Sequence, residues 1–245
     1  LEAEEVGFSL TASAELFSHL GDYSNARAAT ERALAIFEKS KLFGPDNVYA
    51  GIVAMNLADC LTLLGDYEGA VPFAERGLAI LEKSDTHILS VDPYLAGALQ
   101  VRGELLWKSG DHAGAKPLLV RALKIREKSL GPDHPDVADS LRSLGTLLQE
   151  TGDPAGARPL LERAVVIRDK SLGPRHPLVA ESLNDLAKLR WMDGKTTEAL
   201  ELVFRAEGIG REHQRLTSRA LVERQALRHA SVRASGVDLA LTVAT

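Results

Sequence analysis

Small and bulky apolar residues recur along this chain at helical spacing, in columns that repeat five times. One column of small residues is Ala14, Ala58, Gly103, Gly145 and Ala187, and two positions on come Leu16, Cys60, Leu105, Leu147 and Leu189. A second small column is Ala26, Ala70, Ala115, Ala157 and Ala199. A third is Ala33, Gly77, Ala122, Ala164 and Ala206, followed three residues later by Ile36, Ile80, Ile125, Ile167 and Ile209. Ala26, Ala33 and Ile36 stand at i, i+7 and i+10 and so share one stripe of a helix. Small residues are needed where two helices cross closely, because a branched side chain there pushes the axes apart.

Between the first and second columns the chain is punctuated. Gly21-Asp22, Gly65-Asp66, Gly110-Asp111 and Gly152-Asp153 recur, with Gly194-Lys195 in register, at steps of 44, 45, 42 and 42 residues. The glycine suits a left-handed helix end and the aspartate suits the N-cap of the helix that follows. Pro154 fits a first helical position. Gly44-Pro45-Asp46, Asp92-Pro93, Gly131 to Pro135 and Gly173 to Pro177 join one unit to the next, since proline cannot continue a helix. Pro72, Pro117 and Pro159 fall inside the second helix of their units, where each removes one backbone hydrogen bond and bends the helix slightly. The expectation is an all-α chain, an α–α superhelix of five helix–turn–helix repeats. They run over about 8–43, 49–84, 93–130, 135–172 and 177–210, with 211–245 as capping helix and the start of a linker.

Composition narrows the picture little. Apolar residues make up 45%, charged residues 26% and aromatics 5%, as an ordered, helix-rich chain requires. A net charge of −5 gives no general drive toward nucleic acid or anionic membrane. No run of about 18 apolar residues reads as a membrane span. One cysteine excludes an intrachain disulfide and fits a reducing, cytoplasmic setting. The chain starts without Met or a signal pattern and ends apolar, so it reads as a piece of a longer protein.

The small-residue columns resemble the tetratricopeptide repeat: a small residue, Gly at +7, Ala at +12, Ala at +19. The long unit with Arg121 to Pro135 and Ser182-Leu183-Asn184-Asp185-Leu186-Ala187 is similar to the kinesin-light-chain subtype, which is widespread in bacteria. That resemblance covers roughly residues 8–210. It implies a concave face lined by the first helix (A) of each repeat, taking a peptide or protein partner. The family's groove columns carry over to Thr11, Glu15 and Ser18; Ile52, Met55, Asp59 and Thr62; Gln100, Glu104, Trp107 and Lys108; Asp139, Arg142, Thr146 and Gln149; Glu181, Asn184, Lys188, Trp191 and Met192. Both tryptophans share one column, as binding anchors or as filler between neighbouring helices. Glu15, Asp59 and Glu104 make the N-terminal part acidic, and Arg142 and Lys188 make the C-terminal part basic. A second resemblance, from Leu221 to Arg228 and Gly236 to Leu241, is to the junction where such bacterial repeats precede a caspase-like CHAT peptidase domain. It implies the sensing half of a larger protease, with that downstream domain as a further partner.

Other signals point away from chemistry. His134 and His176 sit at equivalent loop positions about 10 Å or more apart in such a stack, which suits capping rather than a shared metal. Cys60 lies in an apolar column and reads as a core thiol. Gly208-Ile209-Gly210 lacks the third glycine and the strand of a dinucleotide site. Seven arginines against three glutamates between Arg205 and Arg233 give a local basic excess, but no aromatics interleave, which argues against nucleic acid. The reading is a protein-interaction module, not an enzyme and without a cofactor, with the protease-regulatory half and a self-assembly scaffold as alternatives.

Overall fold

Each Gly–Asp pair turns the chain as its chemistry dictates. Gly21, Gly65, Gly110, Gly152 and Gly194 have φ between 74° and 89°, a region L side chains avoid. The next aspartate caps the following helix: Asp22 accepts from the amide of Asn25, Asp66 from Gly69, Asp111 from Gly114 and Asp153 from Gly156. The computed structural model describes residues 2–44, 46–84, 92–216 and 218. Among them the helices are α1 (Glu2–His19), α2 (Tyr23–Lys39), α3 (Val48–Leu63), α4 (Tyr67–Lys83), α5 (Asp92–Lys108), α6 (His112–Leu130), α7 (Pro135–Glu150), α8 (Pro154–Leu172) and α9 (Pro177–Met192). A further helix, α10, covers residues 196–216, and no strand occurs among the described residues.

The chain divides into two compact units, Leu1–Ile167 and Arg168–Thr245. In the first, α1 packs on α2, α3 on α4 and α5 on α6, and each later helix A also lies on the preceding helix B. Helices A touch one another as well, α3 against α5 and α5 against α7. This is the layering of a solenoid, in which a unit buries its apolar face only against its neighbours. All three small columns are buried, with Ala26, Ala33, Ala70, Ala115, Ala122, Ala157 and Ala164 at 0% exposure.

The one departure in those columns is Leu16, 58% exposed where Cys60, Leu105, Leu147 and Leu189 are buried. This column looks back toward the preceding helix A: the Cys60 thiol lies 3.8 Å from the Ser18 hydroxyl of α1. Among the described residues α1 has no helix on that side. The prolines cost less than their place inside helix B suggests. Pro72, Pro117 and Pro159 are exposed, as are Glu68, Ala113 and Ala155 four residues back, so water satisfies the freed carbonyls. His134 and His176 are N-caps, their Nδ1 accepting from the amides of Asp136 and Leu178 at 3.2 Å. Each thus caps the helix that follows it.

Candidate partner-binding face on helices A

In the first unit the face is built on α1, α3, α5 and α7. Thr11, Thr62 and Thr146 are half-buried, and each hydroxyl donates back to a carbonyl of its own helix: Gly7 (3.0 Å), Ala58 (2.7 Å) and Arg142 (2.9 Å). Their methyl faces remain for contact. Gln100 and Glu104 are half-buried in a network that ties α5 to α7. Glu104 accepts from Gln100 at 3.1 Å and from Ser143 at 2.7 Å, and Gln100 accepts from Ser140 at 3.0 Å. Trp107 is half-buried and its indole N–H donates to Glu150 of α7 at 2.6 Å, with the Lys108 ammonium 5.2 Å from its ring centroid. The ring thus bridges neighbouring helices A and spends its polar donor inside the chain. Arg142 is half-buried, and Glu15 and Asp59 are exposed.

Two expected residues do not belong to the face. Met55 is 5% exposed and turns into the crossing of α3 with α4. There Gly77 leaves room where the four other repeats carry alanine: a Cβ at residue 77 would sit 2.7 Å from Met55 Cγ and Sδ. Gln149 is 8% exposed. Little of its side chain is therefore open to a partner, although its column is also that of Ser18, Thr62 and Trp107.

Between α1 and α3 lies a cleft of about 120 Å³ bordered by Glu15, Ser18, Thr30, Asn56, Asp59 and Cys60. The Cys60 thiol is buried, which raises its pKa and keeps it from acting as a nucleophile. The Asp59 carboxyl is pushed up to about 6, first by the protein crowding it and then by the charge of Glu104. Solvent still reaches the side chain, so crowding is one-sided and the energetic effect is damped. A carboxyl with a raised folded pKa penalises the fold above that pKa, and the penalty disappears as pH falls through about 6 toward 4. Asp59→Asn is therefore expected to stabilise the chain by about 1 kcal/mol at pH 7.5 and by nothing at pH 4. Thermal unfolding of both proteins at the two pH values checks this; an equal difference at both would refute it.

The second unit carries Asn184, Lys188 and Trp191 on α9, all exposed, Trp191 at 62%. Lys188 lies 3.4 Å from Asp185, a nearly buried carboxylate that the sequence did not single out. This basic position is thus partly neutralised within its own helix.

Sequence reasoning also missed two sets of contacts. Arg126 donates to the Asp136 carbonyl (3.0 Å) and Ser140 (2.7 Å), and Arg168 to the Leu178 carbonyl (2.7 Å) and Ser182 (2.9 Å), at identical offsets. On helices B, Arg76, Arg121, Arg163 and Arg205 pair with Glu38, Glu82, Glu127 and Asp169 of the preceding helix B. Both sets are periodic, with arginine one residue past the isoleucine column or one before the third small column.

Among the described residues no three His, Cys, Asp or Glu side chains converge as metal ligands, and no helix is long and apolar enough to cross a membrane. Residues 221–241, with the peptidase-junction resemblance, and the basic stretch beyond 218 lie outside the described residues.

No curated protein matches the chain. Among solved structures, it resembles a kinesin-light-chain protein of Podosopora anserina built of nearly identical tetratricopeptide-like repeats. The TM-score is 0.63 and the identity 24%, over 88% of this chain and 99% of that one. It also resembles BtubC (BKLC) from P. vanneervenii, at TM-score 0.65 and 21% identity, over 85% of this chain and 82% of that one. The apo form of RapI gives TM-score 0.59 and 16% identity, over 86% and 85%. At these identities the likeness is one of fold. The sequence profile described as tetratricopeptide repeat matches residues 5–83, 94–169 and 144–211, most of the chain and all five Gly-centred turns, so the chain belongs to the tetratricopeptide repeat family.

Proposed function

We propose that this chain is a protein-interaction module that receives a peptide or protein element on its helix A face. The observation carrying this reading is a contrast between the two sides of the first unit. The helix B side spends its charges on inter-repeat ion pairs. The helix A side presents a cleft bordered by Glu15, Ser18 and Asp59, with Thr62 and Trp107 half-buried elsewhere on the same helices, a mix of apolar edges and polar groups suited to a polypeptide. Repeats of this kind use such surfaces for binding rather than catalysis.

Peptides selected from a random library are the probe. They are expected to bind the full chain one to one in calorimetry. Thr62→Arg or Thr146→Arg should weaken binding about tenfold or more, because each fills the face with a long cation. Lys124→Glu, on an exposed helix B position, should leave affinity unchanged. Ligands indifferent to both threonine changes would overturn the reading.

A further inference from the structure

Glu15, Asp59 and Glu104 each stand one residue past the first small column, on α1, α3 and α5. They form a row across neighbouring helices A, at about the 8–10 Å spacing of packed helices. What faces each of them from the next helix A differs. Opposite Glu104, the Ser143 hydroxyl of α7 donates at 2.7 Å, and Gln100 adds a second hydrogen bond at 3.1 Å. The position of Ser143 is held by Asn56 in α3 and by Val101 in α5. Asn56 is half-buried and its amide makes no hydrogen bond among the described residues. Val101 has no donor to offer Asp59. Glu15 and Asp59 are thus left with neither a hydrogen-bond donor nor a cation among the described residues. The acids of helix B behave differently: Glu38, Glu82 and Glu127 each hold an arginine of the following helix B.

These unmatched groups meet at one place. Glu15, Asn56 and Asp59 all border the cleft of about 120 Å³ between α1 and α3, together with Ser18. We infer that this cleft seats a lysine side chain of the partner, its ammonium between the Glu15 and Asp59 carboxylates. The inference rests on the partner reading above and adds the chemistry of what is held.

An ammonium carries three donors, and the cleft offers it two carboxylates, the Asn56 amide oxygen and the Ser18 hydroxyl. Thr62 and Leu63 follow one turn beyond Asp59, and Leu63 is 50% exposed. The aliphatic stem of a lysine lies against such a surface while its head stays with the acids. A guanidinium matches a single carboxylate through a planar fork, whereas here the carboxylates come from two helices around a small space, which suits a compact ammonium. A cation also relieves the repulsion from Glu104 that helps raise the Asp59 pKa.

N-terminally acetylated peptides selected from a random library on the parent chain at pH 7.5 test this. Acetylation removes the α-amino group, the other ammonium a peptide offers. The bound peptides are expected to share one lysine, and its replacement by methionine should weaken binding about tenfold or more in calorimetry. On the protein side, Glu15→Gln with Asp59→Asn should weaken the lysine peptide by a similar factor and leave the methionine peptide unchanged. The peptide-side change probes the same contact on the unaltered chain, so the test does not hang on how the double variant folds. Three results would overturn the inference: selected peptides that share no lysine, peptides that bind only with a free N-terminus, or a lysine peptide whose affinity the double variant leaves unchanged. If Thr62→Arg still weakens those peptides, the partner face stands and only the lysine seat falls. If neither threonine change weakens them, both fall together.

Discussion

Gly77→Val is expected to destabilise the chain by about 3 kcal/mol, more than any single exposed change, because α3 and α4 cross there with backbones in contact. A Cβ at residue 77 would lie 2.7 Å from Met55 Cγ and Sδ and 2.9 Å from the Gly51 carbonyl oxygen. The Met55 side chain can swing away, but the Gly51 carbonyl is helix backbone and moves only if the helices separate. The contact is reciprocal, since a Cβ at Gly51 would sit 2.9 Å from Ile80 Cγ2. Gly77→Ala gains about 1 kcal/mol of helix propensity and meets the same carbonyl, so it should still lose about 1 kcal/mol net. Gly103 and Gly145 face only side-chain atoms of Leu119 and Leu161 at this range, with backbone no nearer than 3.5 Å, so alanine there should cost less. Gly97 is the control: nothing lies within 4 Å of its would-be Cβ, and Gly97→Ala should stabilise by about 0.5–1 kcal/mol. Urea unfolding of these variants beside the parent gives the comparison, and a Gly77→Val chain as stable as the parent would refute the account.

The same crossing shows why the fold was legible and part of the face was not. Gly65-Asp66 announces a turn because two local rules meet in two residues, a positive φ and an N-cap, and the rules recur in every repeat. The small columns are equally local in meaning: wherever helices cross closely, only Ala or Gly fits. Whether Met55 lines the face depends instead on residue 77 being Gly rather than Ala in that one repeat, a dependence across 22 positions that no column average reveals. Trp107 and Trp191 occupy one column yet differ in exposure, because Trp107 has α7 beside it to offer Glu150. Asp59 was expected from its column, but its raised pKa needed Glu104, 45 residues away, placed beside it by the stacking of α3 on α5. The ion pairs of helices B were readable in principle, since Arg76, Arg121, Arg163 and Arg205 hold one column. Their acid partners sit 36 to 39 residues back, outside any single repeat.

Arg168→Ala should cost about 2–4 kcal/mol, the largest effect expected in the second unit. The Arg168 side chain is 3% exposed, and its guanidinium donates to the Leu178 carbonyl and to Ser182, itself buried, in the first turns of α9, with Glu181 at 3.8 Å. The first two layers fill the equivalent position with Phe37 and Leu81, both buried, so the site tolerates an apolar plug when the facing helix is apolar too. Opposite Arg168 the facing position is Ser182, where α3 has Val53, so alanine at 168 leaves both a void and a buried hydroxyl without its donor. Arg168→Lys should recover only part of the loss, because one ammonium cannot reproduce the fixed fork of a guanidinium. Arg168→Leu combined with Ser182→Val should recover most of it by recreating the apolar character these two positions have in the first layer, where Phe37 and Val53 are both buried. The coupling between these two changes, about 1–2 kcal/mol in a double-mutant cycle read by urea unfolding, separates a specific clamp from general loss of packing. If the two changes add without coupling, Arg168 is a space-filler whose hydrogen bonds contribute nothing net, and the matching offsets at Arg126 are a by-product of helix spacing.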